Sequence, residues 1–329
     1  MQVRSTLSRM TPYVAGERRP DAIKLSSNEN PLGPSPAALN AVRRALDESH
    51  IYPDGALQEL RRAIAQHINA KPEMVIPGNG SDEVLTMIAG TYLNPGDRVL
   101  IGEHTFSQYA FAARLFDAKI ERVPMPDLRL TPTAILSAAA SQPEPPRAIF
   151  ICTPNNPTGI ALTRAELQQV LDGVPESTLV VVDHAYQEYA TSPDVVDATV
   201  MVDDHPNLIV LRTFSKIYGL AANRVGYGVA TAARITELEH VRLPFNVNGL
   251  GQAAAIGAMG DETFVHRSLE TNGRGGERMR ALLAELGYQP LPSEANFLCF
   301  PVGGDARAAA EIIASHGATV RPLGSFGLP

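Results

Sequence analysis

The sequence is poor in primary amines. Of its 28 basic residues only four are lysines, Lys24, Lys71, Lys119 and Lys216, so any chemistry that needs an amine nucleophile has four candidates. Cysteine is scarcer still. Cys152 and Cys299 each sit in a short apolar run (AIFIC and ANFLCF) and read as buried free thiols, which points to a reducing, cytoplasmic setting. The first nine residues carry no apolar core of the kind a secretory signal needs. No apolar run approaches the ~20 residues that cross a bilayer, so a membrane is not expected as a partner. The eight histidines show no His-x-x-x-His spacing and the cysteines no Cys-x-x-Cys, so no metal site is expected. Excess positive charge is missing as well. With 28 basic against 35 acidic residues the net charge is −7, which argues against nucleic acid as the main partner.

What is present is ordinary globular material, 44% hydrophobic and 19% charged. At 329 residues the chain is longer than one typical domain, so a large domain with a smaller appendage is expected. From about residue 57 short β-branched runs alternate with helical stretches. Helices are predicted over 57–68, 81–93, 106–116 and 163–171, the last opened by a capping box of Thr163 and Glu166. Strands are predicted over 74–76, 98–101, 148–152, 179–182 and 208–211. The last three are continuous apolar runs, the pattern of parallel strands buried on both faces. After about residue 244 the rhythm changes. Helices are expected over 247–259 and 261–286, the second interrupted by Gly273, Gly275 and Gly276. A strand over 295–300, a helix over 305–316 and a strand over 318–321 follow. The Pro-rich stretches at 30–36 and 143–146 read as loops.

Four segments stand at or just past strand ends, where open α/β sheets place ligands. Gly78-Asn79-Gly80-Ser81-Asp82-Glu83 follows a strand and opens a helix. Its amides suit a phosphate, although Ser81 and Asp82 serve equally as helix caps. It is neither a dinucleotide fingerprint nor a P-loop. Thr153-Pro154-Asn155-Asn156-Pro157-Thr158-Gly159 on its own reads as a turn. In Val181-Val182-Asp183-His184-Ala185-Tyr186, a carboxylate ends a buried strand and must meet a cation or a strong donor, in a structural ion pair or a site. Arg212-Thr213-Phe214-Ser215-Lys216 completes the set, with Arg224 eight residues on.

Together and in this order the segments resemble the fold-type I aminotransferases that use pyridoxal 5′-phosphate (PLP). Among these the sequence is most similar to the histidinol-phosphate aminotransferases and their aromatic-amino-acid relatives. The likeness extends over Ser27-Asn28-Glu29-Asn30-Pro31-Leu32-Gly33-Pro34, Tyr52-Pro53-Asp54, Arg242-Leu243-Pro244-Phe245-Asn246-Val247-Asn248 and Pro292-Ser293-Glu294-Ala295-Asn296-Phe297. It implies a large PLP-binding domain (31–244) with a central, mostly parallel sheet flanked by helices. Residues 1–30 and 245–329 would supply an N-terminal arm and a small α/β domain.

The resemblance also implies roles. Lys216 would form the Schiff base with PLP and then move the proton, while Lys24, Lys71 and Lys119 read as solvated charges. Asp183 would keep the ring nitrogen protonated. Asn156 and Tyr186 would bond the ring's phenolic oxygen. Arg224, Ser215 and the amides of Gly80, Ser81 and Asp82 would hold the phosphate. Phe106 would stack on the ring, with Tyr109 as the alternative. Tyr52 would reach the neighbouring subunit's cofactor, which implies a homodimer. Arg321, Asn30 and Tyr13 would face the substrate.

The implied reaction moves an amino group between glutamate or 2-oxoglutarate and histidinol phosphate or an aromatic amino acid. A phosphothreonine-decarboxylase-like lyase is the alternative on the same fold. The sequence departs from the family pattern at His184, where glutamate is usual, and at Asn223, where leucine is usual. His184 reads as a neutral histidine behind the sheet. Relatives also continue past Pro329 through a strand bearing a second substrate-gripping arginine.

Overall fold

A computed structural model describes residues 2–10, 19 and 21–329. Its strands are β1 (Ile23–Lys24), β2 (Val75–Gly78), β3 (Arg98–Gly102), β4 (Lys119–Val123), β5 (Ala148–Cys152), β6 (Leu179–Asp183), β7 (Leu208–Thr213), β8 (Gly226–Val229) and β9 (Ala318–Thr319). Helices α1 (Pro36–Ala45) and α2 (Gln58–His67) precede the main sheet. Within it run α3 (Ser81–Tyr92), α4 (Gln108–Leu115), α5 (Pro132–Ala139) and α6 (Arg164–Gly173). After it come α7 (Ala232–Glu239), α8 (Gly249–Met259), α9 (Glu262–Glu285) and α10 (Ala306–Ser315).

Seven strands form one sheet in the order β2-β8-β7-β6-β5-β3-β4. Only β8 runs against its neighbours, and every other pairing is parallel. This is the α/β class expected, with helices covering a mostly parallel sheet. The apolar runs explain it. Ile149, Ile151, Val180, Val182 and Val210 join the core on one face, while Phe150, Val181, Ile209 and Leu211 join the core on the other. A strand with both faces buried needs an apolar residue at every position, which is what these runs provide.

Register then brings the strand ends together. Cys152 pairs with Asp183, Thr213 with Gly226, and Gly226 with Gly78. The carboxyl ends of four strands therefore share one edge of the sheet.

Three expectations change. The stretch expected at 261–286 forms one unbroken helix of 24 residues, α9 (Glu262–Glu285), despite the glycines. A helical glycine costs roughly 1 kcal/mol, too little to break a helix buried at Phe264 and Leu283. Residues 295–300 form no strand: 295–297 lie in a bend, and the one described backbone–backbone bond of the segment joins Leu291 N–H to Cys299 O. The stretch at 30–36 is a loop only as far as Ser35. The Ser35 hydroxyl accepts from Ala38 N–H and starts α1 at Pro36, a residue suited to a helix's first position. Elsewhere the expected elements hold to within two residues, and the Thr163–Glu166 capping box is present. Cys152 and Cys299 are buried free thiols.

Candidate active site

Asp183, the last residue of β6, is 3% exposed. Its Oδ2 accepts from the Tyr109 hydroxyl at 2.7 Å and its Oδ1 from the Ala185 amide at 3.0 Å. Among the described residues no cation pairs with it; the strong donor demanded by its burial is a tyrosine. Burial pushes its pKa up to about 6, against the pull of these two hydrogen bonds. A carboxylate so placed suits a cationic N–H.

Lys216 lies three residues past the end of β7 and is partly buried. Its Nζ donates to the Ser27 carbonyl at 3.0 Å and stands 5.6 Å from the centroid of the Tyr186 ring. Burial draws its pKa down to about 8, with the Glu29 carboxylate opposing and Arg321 assisting. The other three lysines are exposed, and Lys24 pairs with Glu29 at 2.7 Å. Tyr186 is buried, and its hydroxyl accepts from Asn28 Nδ2 at 3.0 Å.

The start of α3 forms an anion cradle. First-turn amides of a helix have no intrahelical partner and carry the positive end of its dipole. Gly80 caps this helix at φ +79°, a conformation that favours glycine, and a Cβ there would lie 2.6 Å from Arg224 Nη2, so a side chain would also displace the guanidinium. Arg224 Nη2 meets Asp82 Oδ2 at 3.1 Å. A cavity of about 350 Å³ opens beside them, with Asn79, Asp82, Thr86, Gln108, Phe111 and Arg224 in its wall. Ser215 and Asn156 are both partly buried; the Ser215 amide donates to Thr213 Oγ1 and the Asn156 amide to Cys152 Sγ.

A strap formed by Ser26–Asn30 crosses the site. The Ser26 carbonyl accepts from Arg321 Nε at 2.8 Å, and the Asn28 carbonyl accepts from Asn296 Nδ2 at 3.0 Å. Asn30 is buried and donates to both the Ile217 carbonyl and the Ser268 hydroxyl. Arg321 spends its Nε on the strap and is otherwise exposed. His184 behaves as its position predicted. Nδ1 lies 2.6 Å from the Thr153 carbonyl and Nε2 accepts from the Ala198 amide, while burial drives its pKa down to about 4. That imidazole is neutral.

Lys216, Asp183, Tyr186, Asn30 and Arg321 are thus linked through the strap and the strand ends, with Gly80, Ser81, Asp82 and Arg224 at the cradle. Tyr52 is not among them; it is 80% exposed and stacks on Phe245 at 4.7 Å. Tyr13 lies outside the described residues. Phe106 is partly buried and meets Tyr109 edge to face at 5.6 Å. Tyr109 itself is fully buried with its hydroxyl spent on Asp183, a task different from ring stacking. Sequence reasoning also passed over Asn28 and Asn296. Each lies inside a quoted motif, but only the folded chain shows the bond between them.

Pyridoxal phosphate presents an anionic phosphate, a cationic ring nitrogen and an aldehyde that needs an amine. The cradle with its positive-φ glycine, the buried carboxylate and the lysine whose pKa burial lowers to about 8 fit those three groups. A family model for aminotransferase class I and II matches residues 20–329. The histidinol-phosphate aminotransferase of Symbiobacterium thermophilum is 42% identical over 336 residues, 99% of this chain and 92% of that protein. The protein of that name from Moorella thermoacetica is 44% identical over 308 residues, 93% of this chain and 79% of its own. A solved structure of histidinol-phosphate aminotransferase from Sinorhizobium meliloti, in complex with pyridoxal-5′-phosphate, has a TM-score of 0.91 at 28% identity. It covers 98% of this chain, which covers 89% of it.

Proposed function

Because this chain belongs to the class I and II aminotransferases, which use PLP, we propose that it exchanges an amino group between glutamate or 2-oxoglutarate and histidinol phosphate or its ketone, imidazole-acetol phosphate. The observation that carries the substrate is the likeness, over almost the whole chain, to relatives named for that substrate.

In this reading the amides of Ser81 and Asp82, with Arg224 and Ser215, would hold the cofactor's phosphate; the Gly80 amide donates to the Gly78 carbonyl at 2.8 Å, so that glycine would serve through its backbone turn instead. Asp183 would pair with the ring nitrogen, Asn156 and Tyr186 would hydrogen-bond the phenolic oxygen, and Phe106 would pack against the ring. When bound, PLP supplies an electron sink for the pair left as a proton leaves the substrate's α-carbon. The chain's own residues do the rest. Lys216 Nζ, with its pKa near 8, becomes a free base as pH rises through that value and can take and return that proton. Tyr186 and Asn28 hold the wall beside Nζ. Arg321, with its η nitrogens clear of the Nε bond to Ser26, is the candidate fork for the substrate's anionic end, with Tyr13 proposed as its helper; Asn30, whose amide is spent on Ile217, Ser268 and the Leu32 N–H, positions the strap rather than the substrate.

The same reading divides the chain into a large domain over 31–244 and an arm with a small domain over 1–30 and 245–329. Ile51, Tyr52, Leu243 and Phe245 leave an apolar surface 61%, 80%, 66% and 43% exposed. We assign it to a second copy of the chain, with Tyr52 reaching the partner's phosphate site. A cytoplasmic setting accompanies this; no helix among the described residues is long and apolar enough to cross a membrane.

The test offers the PLP-loaded enzyme 2-oxoglutarate with a panel of amino donors and measures glutamate formed. Histidinol phosphate is expected to be the fastest donor. A preference for phenylalanine would remove the substrate assignment, and carbon dioxide release without glutamate would replace transamination by a lyase reaction.

A further inference from the structure

We infer that Tyr109 is a positioning residue, whose hydroxyl keeps the Asp183 carboxylate ionised and aimed at the cofactor's ring nitrogen. The inference rests on the assignment of Asp183 to that nitrogen given above.

The geometry argues against a merely structural tyrosine. A fully buried phenol must spend its one O–H, and Tyr109 spends it at 2.7 Å on the buried carboxylate that ends β6. A hydrogen bond donated to a carboxylate stabilises the charged form and fixes the plane of the group. The donor itself is immobile. Its ring stacks on Phe150 at 5.5 Å and 9°, and Phe106 closes on it edge to face. A pivoting or solvated donor would let the carboxylate turn, whereas this one is held by the sheet on one side and by the ring-stacking candidate on the other. Tyr109 therefore couples the residue against the face of the cofactor to the residue at its nitrogen.

The charges around Asp183 leave this bond with little competition. The groups felt by the carboxylate are Tyr109 from α4, Asp82 at the start of α3 and Lys216 past β7. The Cys152 thiol on β5, pushed up to about 12 by burial, is neutral. Asp82 disfavours ionisation and Lys216 favours it; neither is hydrogen-bonded to the carboxylate. The direct donors are Tyr109 and the Ala185 amide, and only the first can be removed by substitution. Without it, burial acts less opposed, the carboxyl takes a proton at higher pH, and the ring nitrogen loses the negative partner that keeps it protonated.

The test uses holoenzyme reconstituted with PLP labelled with ¹⁵N at the ring nitrogen, whose chemical shift reports protonation directly. Tyr109→Phe keeps the stacked ring and removes only the hydroxyl. The nitrogen is expected to lose its proton about one pH unit lower than in the wild type, a tenfold change in the equilibrium. PLP affinity should weaken by a similar factor. Asp183→Asn should abolish the elevated nitrogen pKa, and adding Tyr109→Phe to it should change nothing further. An unchanged ¹⁵N titration in Tyr109→Phe, alongside a shifted one in Asp183→Asn, would overturn the role of Tyr109 alone. An unchanged titration in Asp183→Asn would overturn the assignment of Asp183 and this inference with it. Equal effects of Tyr109→Phe in the presence and absence of Asp183 would show that the tyrosine acts by another route.

Discussion

The middle of the sheet and the far end of the chain are built to different standards. In β6 and β7, Val180, Val181, Val182, Leu208, Ile209, Val210 and Leu211 are all 0% exposed. In α10 no residue is buried, and β9 is two residues long. Even α9, with 24 residues, buries only Phe264, Ser268 and Leu283. The functional groups divide the same way. Asp183 is held by side-chain and backbone donors in the core, whereas Arg321 is tied to the rest of the site through a single described bond, to Ser26. On the roles proposed above, a buried floor would fix the chemistry common to all substrates, and a rim with few buried contacts would carry the group that recognises one of them.

Breaking the floor should have the largest effects. Lys216→Ala is expected to lower turnover by about 10⁴-fold, the upper range for a missing acid–base group, and to remove the bound cofactor's visible absorbance. Persistence of that absorbance would require one of the three exposed lysines in its place. Leu211→Ala, which opens a cavity between sheet and helices, should cost about 2–5 kcal/mol in a denaturant titration. At the rim, Arg321→Gln should raise KM for the anionic amino substrate by about tenfold or more while leaving the cofactor absorbance intact, because a charge-assisted hydrogen bond is worth about 1.5–3 kcal/mol. Loss of the absorbance there would show that rim and floor are not separable. Ile312→Ala, on the 63% exposed face of α10, should shift stability by no more than about 0.5 kcal/mol. A loss comparable to that of Leu211→Ala would erase the contrast.

Legibility in the sequence follows the same division. β5, β6 and β7 announce themselves because burial on both faces demands unbroken apolar runs. β4 (KIERV) is an edge strand with exposed charges, and β8 (GYGV) alternates glycine, so neither carries such a run and neither was expected. Glycines in α9 argued for a break that the anchored helix overrides. For the site, the family resemblance points to Lys216, Asp183 and Arg224, because each lies in or shortly after a motif at a strand end. The bond from Tyr109 to Asp183 spans 74 residues and crosses from a helix to a strand, so no local pattern could reveal it. The strap was visible as a motif but not as a contact, because its partners lie at Lys216, Asn296 and Arg321.

The short ladder just ahead of the strap also sets an order of assembly. Ile23 pairs with Ala318 and Lys24 with Thr319, so this small parallel ladder joins chain segments nearly 300 residues apart. The seven strands of the main sheet are all made by Val229. During synthesis the first strand of the ladder therefore waits for its partner until almost the whole chain has left the ribosome. Arg321, two residues beyond that partner, arrives later than every residue of the cofactor floor. On the proposed roles, the residues assigned to the cofactor would be in place before the arginine assigned to the substrate.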